Sequence, residues 1–275
     1  MILCVSVMFR RRQKANQALE EHLRRYGALI KDLSAIEERV LRFKSKLVAV
    51  SEIAAQYYCE KKVELRRIHG EEETPEIKEG KVAHDLLLKD TVQASREEIL
   101  RKVFSGEPVM VREMPLLGKH NNVIIDGMAD AVLLLGGDPV LLLEHKFSKR
   151  SIPFSGHHVQ AGLYCHLLNL MGWDTSRTKY ALVMAPPECR EDGALREIPQ
   201  YILKHRGERK LMLKLQSGCA NIYIYDFDPK KTVDDLNWAL DFWKGQRSAV
   251  PTKKHGKCMV CQFNKLCTAS PVKQN

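Results

Sequence analysis

Apolar residues at Leu19, Leu23, Tyr26, Ile30, Leu33, Ile36 and Val40 recur at three- and four-residue steps. That is the spacing of one helix face, and it predicts an amphipathic helix or helical pair with Gly27 as the break. A second helical stretch covers 51–67, with Ser51 placed to cap it, Cys59 in its middle, and Lys61, Lys62, Arg66 and Arg67 beyond. An acidic loop follows at 71–73. Pro75 opens a helix carrying Gly80 and His84, and a further helical run, continuous with it or separate, reaches Val103. Strand signals then dominate over 109–112, 122–135 and 140–147, the last two joined by Gly136, Gly137, Asp138 and Pro139 in the manner of a β-hairpin. A helix over 157–171, a strand over 180–184, an irregular polar region with helical patches up to Gly218, a strand over 222–227 and a helix over 233–247 complete the pattern. This order predicts an α/β protein, a mixed sheet with helices packed on it, and no internal repeat is evident.

The chain has 275 residues, 44% of them hydrophobic, enough to bury a core of ordinary domain size. Its formal charge of +10 suits a polyanion, nucleic acid being the default partner, although an anionic membrane surface or plain solubility would account for it too. The apolar stretch 2–9 is too short to span a bilayer and is followed, not preceded, by its arginines, so no secretion signal or membrane anchor is expected. Eight unevenly spaced cysteines, three of them crowded near the end, look more like metal ligation in a reducing cytosol than a disulfide framework.

The hairpin carries the first candidate chemistry. If its strands pair symmetrically about Gly137, Asp130 and Glu144 sit opposite each other on one face, where like charges repel. Alternation puts Val140, Leu142, Glu144 and Lys146 on that face and Leu141, Leu143, His145 and Phe147 on the other. Two opposed carboxylates at the end of an apolar run call for a cation between them, and an oxygen-preferring divalent metal is the economical one. A Glu144–Lys146 surface pair is the bland alternative. Asp126 shares the face of Asp130 by the same alternation but lies four residues earlier, so it is expected only to flank the site.

His84, stacked one turn after Gly80, is a candidate third ligand, though a lone helical histidine is more often just a satisfied polar residue. Gln160 and Tyr164 repeat that spacing, placing an amide and a phenol where they can order Lys146 or touch a phosphate; ordinary polar positions on a half-buried helix would look the same. Near the end, Cys258, Cys261 and Cys267 have the spacing of three thiolates around one centre. Either Cys59 or His255 could complete it, giving an iron-sulfur cluster or a zinc site respectively. Cys4, Cys165, Cys189 and Cys219 have no partner pattern and read as buried small residues or incidental thiols.

Taken in order, SEIAAQYYCEKKVELRR (51–67), GKVAH (80–84), GMAD (127–130), EHK (144–146), QAGLY (160–164) and the cysteine tail resemble the CRISPR-associated Cas-four exonucleases, a branch of the RecB-like PD-(D/E)XK nucleases. The resemblance runs from about Leu47 to Cys267. It implies a restriction-endonuclease-like core over 49–275 behind an N-terminal helical extension at 1–48. It also implies a magnesium or manganese site of His84, Asp130, Glu144 and the His145 carbonyl, with Lys146 as catalytic lysine. Cys59 joins Cys258, Cys261 and Cys267 on a four-iron four-sulfur cluster, which decides against His255. The activity implied is trimming of DNA ends, single-stranded by expectation, during CRISPR spacer acquisition beside the integrase complex. The basic residues Lys61, Lys62, Arg66 and Arg67 are expected to meet DNA. A stand-alone RecB-type repair or recombination exonuclease is the second reading, and a catalytically silent module that grips DNA ends is the third. The first 45 or so residues and the stretch 187–218 are longer than the family's usual compact form.

Overall fold

The computed structural model describes residues 41–70, 75–88, 92–105, 107–148, 150–187, 189, 204, 213–217 and 219–272. Ahead of these it describes 13, 16, 17, 20, 21, 23–32 and 35. Cys4, the acidic loop 71–73 and most of the polar region before Gly218 lie outside them. The elements run β1 (Leu47–Ala49), α1 (Val50–His69), α2 (Pro75–Leu88), α3 (Arg96–Ser105), β2 (Pro108–His120), β3 (Val123–Leu135) and β4 (Asp138–Phe147). They continue as α4 (Ser155–Leu170), β5 (Lys179–Ala185), β6 (Leu213–Ser217), β7 (Ala220–Asp226), α5 (Pro229–Trp243) and α6 (His255–Met259). Seven strands among the described residues form one mixed sheet, so the expected α/β class holds.

β3 is the spine of that sheet. Along one edge it pairs antiparallel with β2 over nearly its whole length. Two short partners share its other edge end to end: β1 runs parallel beside residues 124–126, and β4 runs antiparallel beside residues 131–135. Residues 127–130 face the seam between them, with no strand paired to that edge among the described residues. Outward from β4 come β5, parallel, then β7 and β6, both antiparallel.

The hairpin turns through Gly136 and Gly137, both at positive φ (61° and 94°), the conformation a tight two-residue reversal of twisted strands requires. Leu135 and Leu134 pair with Asp138 and Pro139; beyond a bulge, Leu133, Val132 and Ala131 pair with Leu141, Leu142 and Leu143. The turn is therefore tighter than expected, and the inserted residue, Val140, restores the register that symmetry about Gly137 predicts. It also corrects the predicted face of Val140, which packs with Leu141 and Leu143 rather than with Leu142.

A second irregularity sits across β2 and β3. Glu113, at φ 48°, drops out of the ladder between the pairs Arg112↔Ala131 and Met114↔Ala129. The phase of both strands reverses there: Val109 and Val111 pack into the same core as Met114 and Leu116, and Ala129 into the same core as Val132. That core lies under α1, α4 and α5, with Ile53, Leu163, Leu167, Leu236 and Trp243 fully buried in it. The opposite face buries Leu133, Leu141, Leu143, Val183 and Ile222. α2 packs against β4.

Several boundaries differ from expectation. α1 starts at Val50 with Ala49 as its N-cap and no side-chain cap, so Ser51 does not cap it. α2 and α3 are separate helices, divided by non-helical residues at 92–95. β2 runs on to His120, past Pro115 and Gly118, whose presence argues for a turn; Pro115 is tolerated within it, and Gly118 admits the side chains of Leu167 and Leu170. β6 replaces part of the predicted irregular region. α5 begins four residues early, because the Asp228 side chain accepts the Lys231 N–H and Pro229 opens the first turn. β1, three residues long, straddles the expected division at 48/49. Helical residues 23–32 pass through Gly27 without a break, and Arg25 Nη1 donates to the Leu170 carbonyl at 2.8 Å.

The cysteine expectation needs one correction: Cys189 and Cys219 form a disulfide with Cα atoms 5.8 Å apart. β7 runs antiparallel to β5 with Met184 beside Asn221, so the residue entering β7 lies next to the chain leaving β5. Cys165 is a free, fully buried thiol, as expected. Among the described residues no helix is long and apolar enough to cross a membrane.

Candidate active site and cysteine centre

Asp130 closes the seam in the sheet. Its ladder to β4 ends one pair earlier, at Ala131↔Leu143, and its carboxylate takes the next free donor: Oδ2 accepts the His145 backbone N–H at 2.7 Å. Oδ1 lies 3.3 Å from His84 Nε2 on α2. Burial alone would raise the Asp130 carboxyl, but His145 and His84 prevail and hold it well below the usual carboxylate range. The same contact with Asp130 pushes the His84 imidazole up. The His145 ring is buried, with Nδ1 3.5 Å from Asp130 Oδ2, beyond a proper hydrogen bond.

Glu144 follows on β4 and is 1% exposed. Oε1 accepts from Lys146 Nζ at 2.6 Å, while Oε2 is buried with no hydrogen-bond partner. Burial pushes this carboxyl up to about 7 in spite of Lys146, and the charge of Asp130 acts in the same direction. Lys146 is itself drawn out of water, yet Glu144 and Asp130 outweigh that and raise it. From α4, Gln160 Oε1 accepts from Lys146 Nζ at 2.9 Å, and Gln160 Nε2 donates to the Tyr164 hydroxyl at 3.0 Å. A Cβ on Gly127 would meet Tyr164 Cε1 at 2.6 Å, so only glycine lets the phenol lie against β3.

The structure thus gives two runs of contacts, His84 with Asp130 and His145, and Glu144 with Lys146, Gln160 and Tyr164, side by side where Glu144 and His145 adjoin on β4. Asp126 stands apart. Gly127 faces Tyr164, so by alternation Asp126 points to the other side of β3 at that position. Burial pushes its carboxyl up, and its Oδ1 has no partner. As the side chains stand, no three His, Cys, Asp or Glu among the described residues converge on one point. His84 and Asp130 engage each other, and Glu144 leans on Lys146. The bare Glu144 Oε2 and the histidine, two-carboxylate donor set nevertheless suit an oxygen-preferring divalent cation.

The four cysteines lie where α1 meets the C-terminal segment. α1 breaks at Cys59, whose backbone is extended (φ −172°, ψ 114°). The break frees the Glu60 N–H for the Val250 carbonyl, 3.2 Å away. Thr252 N–H points at Cys59 Sγ, 3.4 Å away, and Lys257 Nζ donates to the Tyr58 carbonyl at 2.9 Å. Cys59, Cys258, Cys261 and Cys267 are all free and half-buried. Burial, then the fields of Cys59, Cys267 and Cys261, push the Cys258 thiol up, so the four are electrostatic neighbours. His255 is exposed at the start of α6.

Sequence reasoning missed what holds this corner together. Glu60, fully buried, accepts from Arg247 Nη1 and Nη2 at 2.5 and 2.6 Å and from Val250 N–H at 2.8 Å. Gln56, one turn back, bridges Glu60 to the Trp243 indole. Its signal was a Gln and a Glu four residues apart on an otherwise apolar helix face. The basic residues of α1 are mostly engaged within the protein: Lys61 with Glu64 at 2.5 Å, Arg66 with Glu52 at 3.8 Å, and Arg67 with Glu52. Lys62 lies instead over the Tyr58 ring, 5.6 Å from its centre.

A seam in a mixed sheet, flanked by a buried and a half-buried carboxylate, a histidine and a braced lysine, sits on an α/β fold. No family model matches the chain. Over 60 residues it is 35% identical to the mitochondrial exonuclease V of Candida dubliniensis, a stretch amounting to 22% of this chain and 9% of that protein. The crystal structure of SSO0001 aligns with 90% of this chain and 96% of that one, at 18% identity and a TM-score of 0.48.

Proposed function

We propose that this chain is a divalent-metal-dependent DNA exonuclease that hydrolyses phosphodiester bonds at single-stranded ends. The observation that carries the reading is Glu144, a carboxylate out of water with one oxygen on Lys146, the other bare, and Asp130 beside it. Burying such a group costs free energy unless a cation completes it. His84, Asp130, Glu144 and the His145 carbonyl are the residues that would hold magnesium or manganese, the imidazole favouring manganese alongside magnesium. The ion, when bound, supplies Lewis acidity and charge neutralisation for phosphodiester hydrolysis. Lys146 offers a cation to the charge that develops on the phosphate, and Gln160, backed by Tyr164, keeps its ammonium at Glu144. Asp130, with both oxygens engaged, stays ionised and fixed.

The four free thiols support a four-iron four-sulfur cluster with a structural role, fastening the break in α1 to the turns around residues 258–267. The order of motifs supports trimming of DNA ends in CRISPR spacer acquisition. The 60-residue match to exonuclease V favours a stand-alone exonuclease as the second reading. An end-labelled single strand incubated with manganese tests the activity. Progressive shortening that stops with chelator, and that Glu144→Gln abolishes, is the expected result. A strand left intact at every metal concentration while still bound would mean a module that grips DNA without cutting it.

A further inference from the structure

Beside the cysteines the surface carries cations that no carboxylate among the described residues answers. Tyr58, 36% exposed and one residue ahead of Cys59, has Lys257 Nζ 4.1 Å and Lys62 Nζ 5.6 Å from its ring centre. Phe154, 40% exposed at the start of α4, has the Arg150 guanidinium 5.1 Å from its centre and the His157 ring 5.2 Å away. Among the described residues, Lys62, Arg150 and Lys257 have no acidic partner, unlike the neighbouring Lys61, Arg66 and Arg67.

These two aromatic positions belong to one surface. Arg150 acts electrostatically on both Tyr58 and Lys257. A Cβ on Gly156, at the start of α4, would lie 2.8 Å from the Ala54 carbonyl, one turn before Tyr58 on α1. His157, whose Nδ1 accepts the Phe154 N–H at 3.3 Å, lies within the field of Lys146. The surface therefore runs from the cysteine corner through Arg150 and Phe154 to the lysine of the carboxylate centre. Exposed rings alternating with unpaired cations are what a single-stranded polynucleotide needs, bases stacking on the rings and phosphates meeting the charges; a duplex has its bases already stacked.

We propose that Tyr58 and Phe154 are two base-stacking stations that lead single-stranded DNA to Lys146, and that docking of the C-terminal segment builds the first of them. The proposal rests on the exonuclease reading and deepens it by naming where the strand lies. Lys257 reaches Tyr58 from the segment that also presents Cys258, donating to the Tyr58 carbonyl and covering its ring. The corner that gathers the thiols thereby assembles a binding station from residues about two hundred positions apart in the chain.

Fluorescence anisotropy of the full chain with a labelled oligothymidine, in chelator so that nothing is cut, tests this apart from catalysis. Phe154→Ala and Tyr58→Ala should each weaken binding by about tenfold, while Tyr58→Phe retains it. Lys62→Glu with Lys257→Glu should also flatten the salt dependence, since each phosphate contact on a single strand contributes a slope of about −0.7 in log affinity against log salt. An abasic strand of equal length should bind more weakly to the wild type and show no further loss with Phe154→Ala. Unchanged affinity of Phe154→Ala, which lies away from the cysteines, or equal binding of abasic and thymidine strands, would overturn the stations. Absence of cleavage with these binding effects intact would instead overturn the exonuclease reading alone.

Discussion

Glu144 and Asp130 are chemically similar and are held in opposite states by their neighbours. Asp130 spends both oxygens on donors, and Glu144 spends one. Asp130→Ala, Glu144→Ala and Lys146→Ala should each reduce cleavage on the order of 10³-fold or more, because groups that act as a unit lose most of the rate one at a time. Rates from a single-turnover assay, with circular dichroism to show the fold intact, check this. Asp126→Ala, outside the hydrogen bonds that join these groups, should be far milder. A pH dependence follows from Glu144. A carboxyl pushed up to about 7 by burial keeps its proton through the weakly acidic range, and that proton competes with any cation. Manganese affinity by titration calorimetry should be roughly tenfold weaker at pH 6 than at pH 8, the ratio one competing proton gives. The sign for folding is the reverse. In metal-free protein this raised carboxyl contributes stability that is fully present below its unfolded value of 4.5 and is lost as pH climbs through about 7. Cation affinity independent of pH would refute the assignment of Glu144 as a ligand.

At the level of elements, the chemistry was legible wherever strands alternate cleanly and illegible wherever the backbone departs from its period. The pairing of residues 131–133 with 141–143 follows from symmetry about Gly137, and the line from Lys146 through Gln160 to Tyr164 follows from helical spacing. Two irregularities carry no sequence signal: the bulge at Val140, which compensates a turn tighter than expected, and the unpaired step at Glu113, where β2 and β3 reverse phase without a change of register. β1 and β6 are too short for a periodicity to register, and β2 is masked by Pro115 and Gly118. The break in α1 is likewise invisible, since Cys59 sits in a run of good helix formers; only tertiary bonds from Glu60 to Arg247 and Val250 reveal it. Glu60→Ala would strand Arg247 beside a buried hole. The expected loss is about 3–5 kcal/mol, read from urea denaturation, against much less for Glu64→Ala on the half-buried side of the same helix.

On the scale of the whole molecule, bonds between distant parts of the chain tie its first described elements to its last. Arg42 donates to the carbonyls of Phe242 and Arg247 at 2.6 and 2.7 Å, and Cys59 meets the segment from Thr252 onward. If the proposed cluster occupies that corner, protein prepared without oxygen should be brown and contain iron and sulfide in stoichiometric amount. Cys59→Ala should lose the colour as completely as Cys258→Ala, while His255→Ala keeps it. Both cysteine variants should also unfold more readily, because a centre that exists only in the folded state contributes its binding free energy to folding. Zinc in place of iron, retained by Cys59→Ala and lost by His255→Ala, would reverse the ligand assignment.

The seam along β3 has a consequence for solvent. Because β1 and β4 abut end to end there, amides among residues 127–130 that face the gap have no neighbouring strand among the described residues to shield them, whereas those at 124–126 and 131–135 do. Deuterium should enter this short window well before the flanking segments, although all lie within one strand. Filling the carboxylate centre with manganese should slow that uptake, making the window a gauge of occupancy that needs no substrate. Equal exchange along the whole of β3, with and without the ion, would show that the gap is closed by other means.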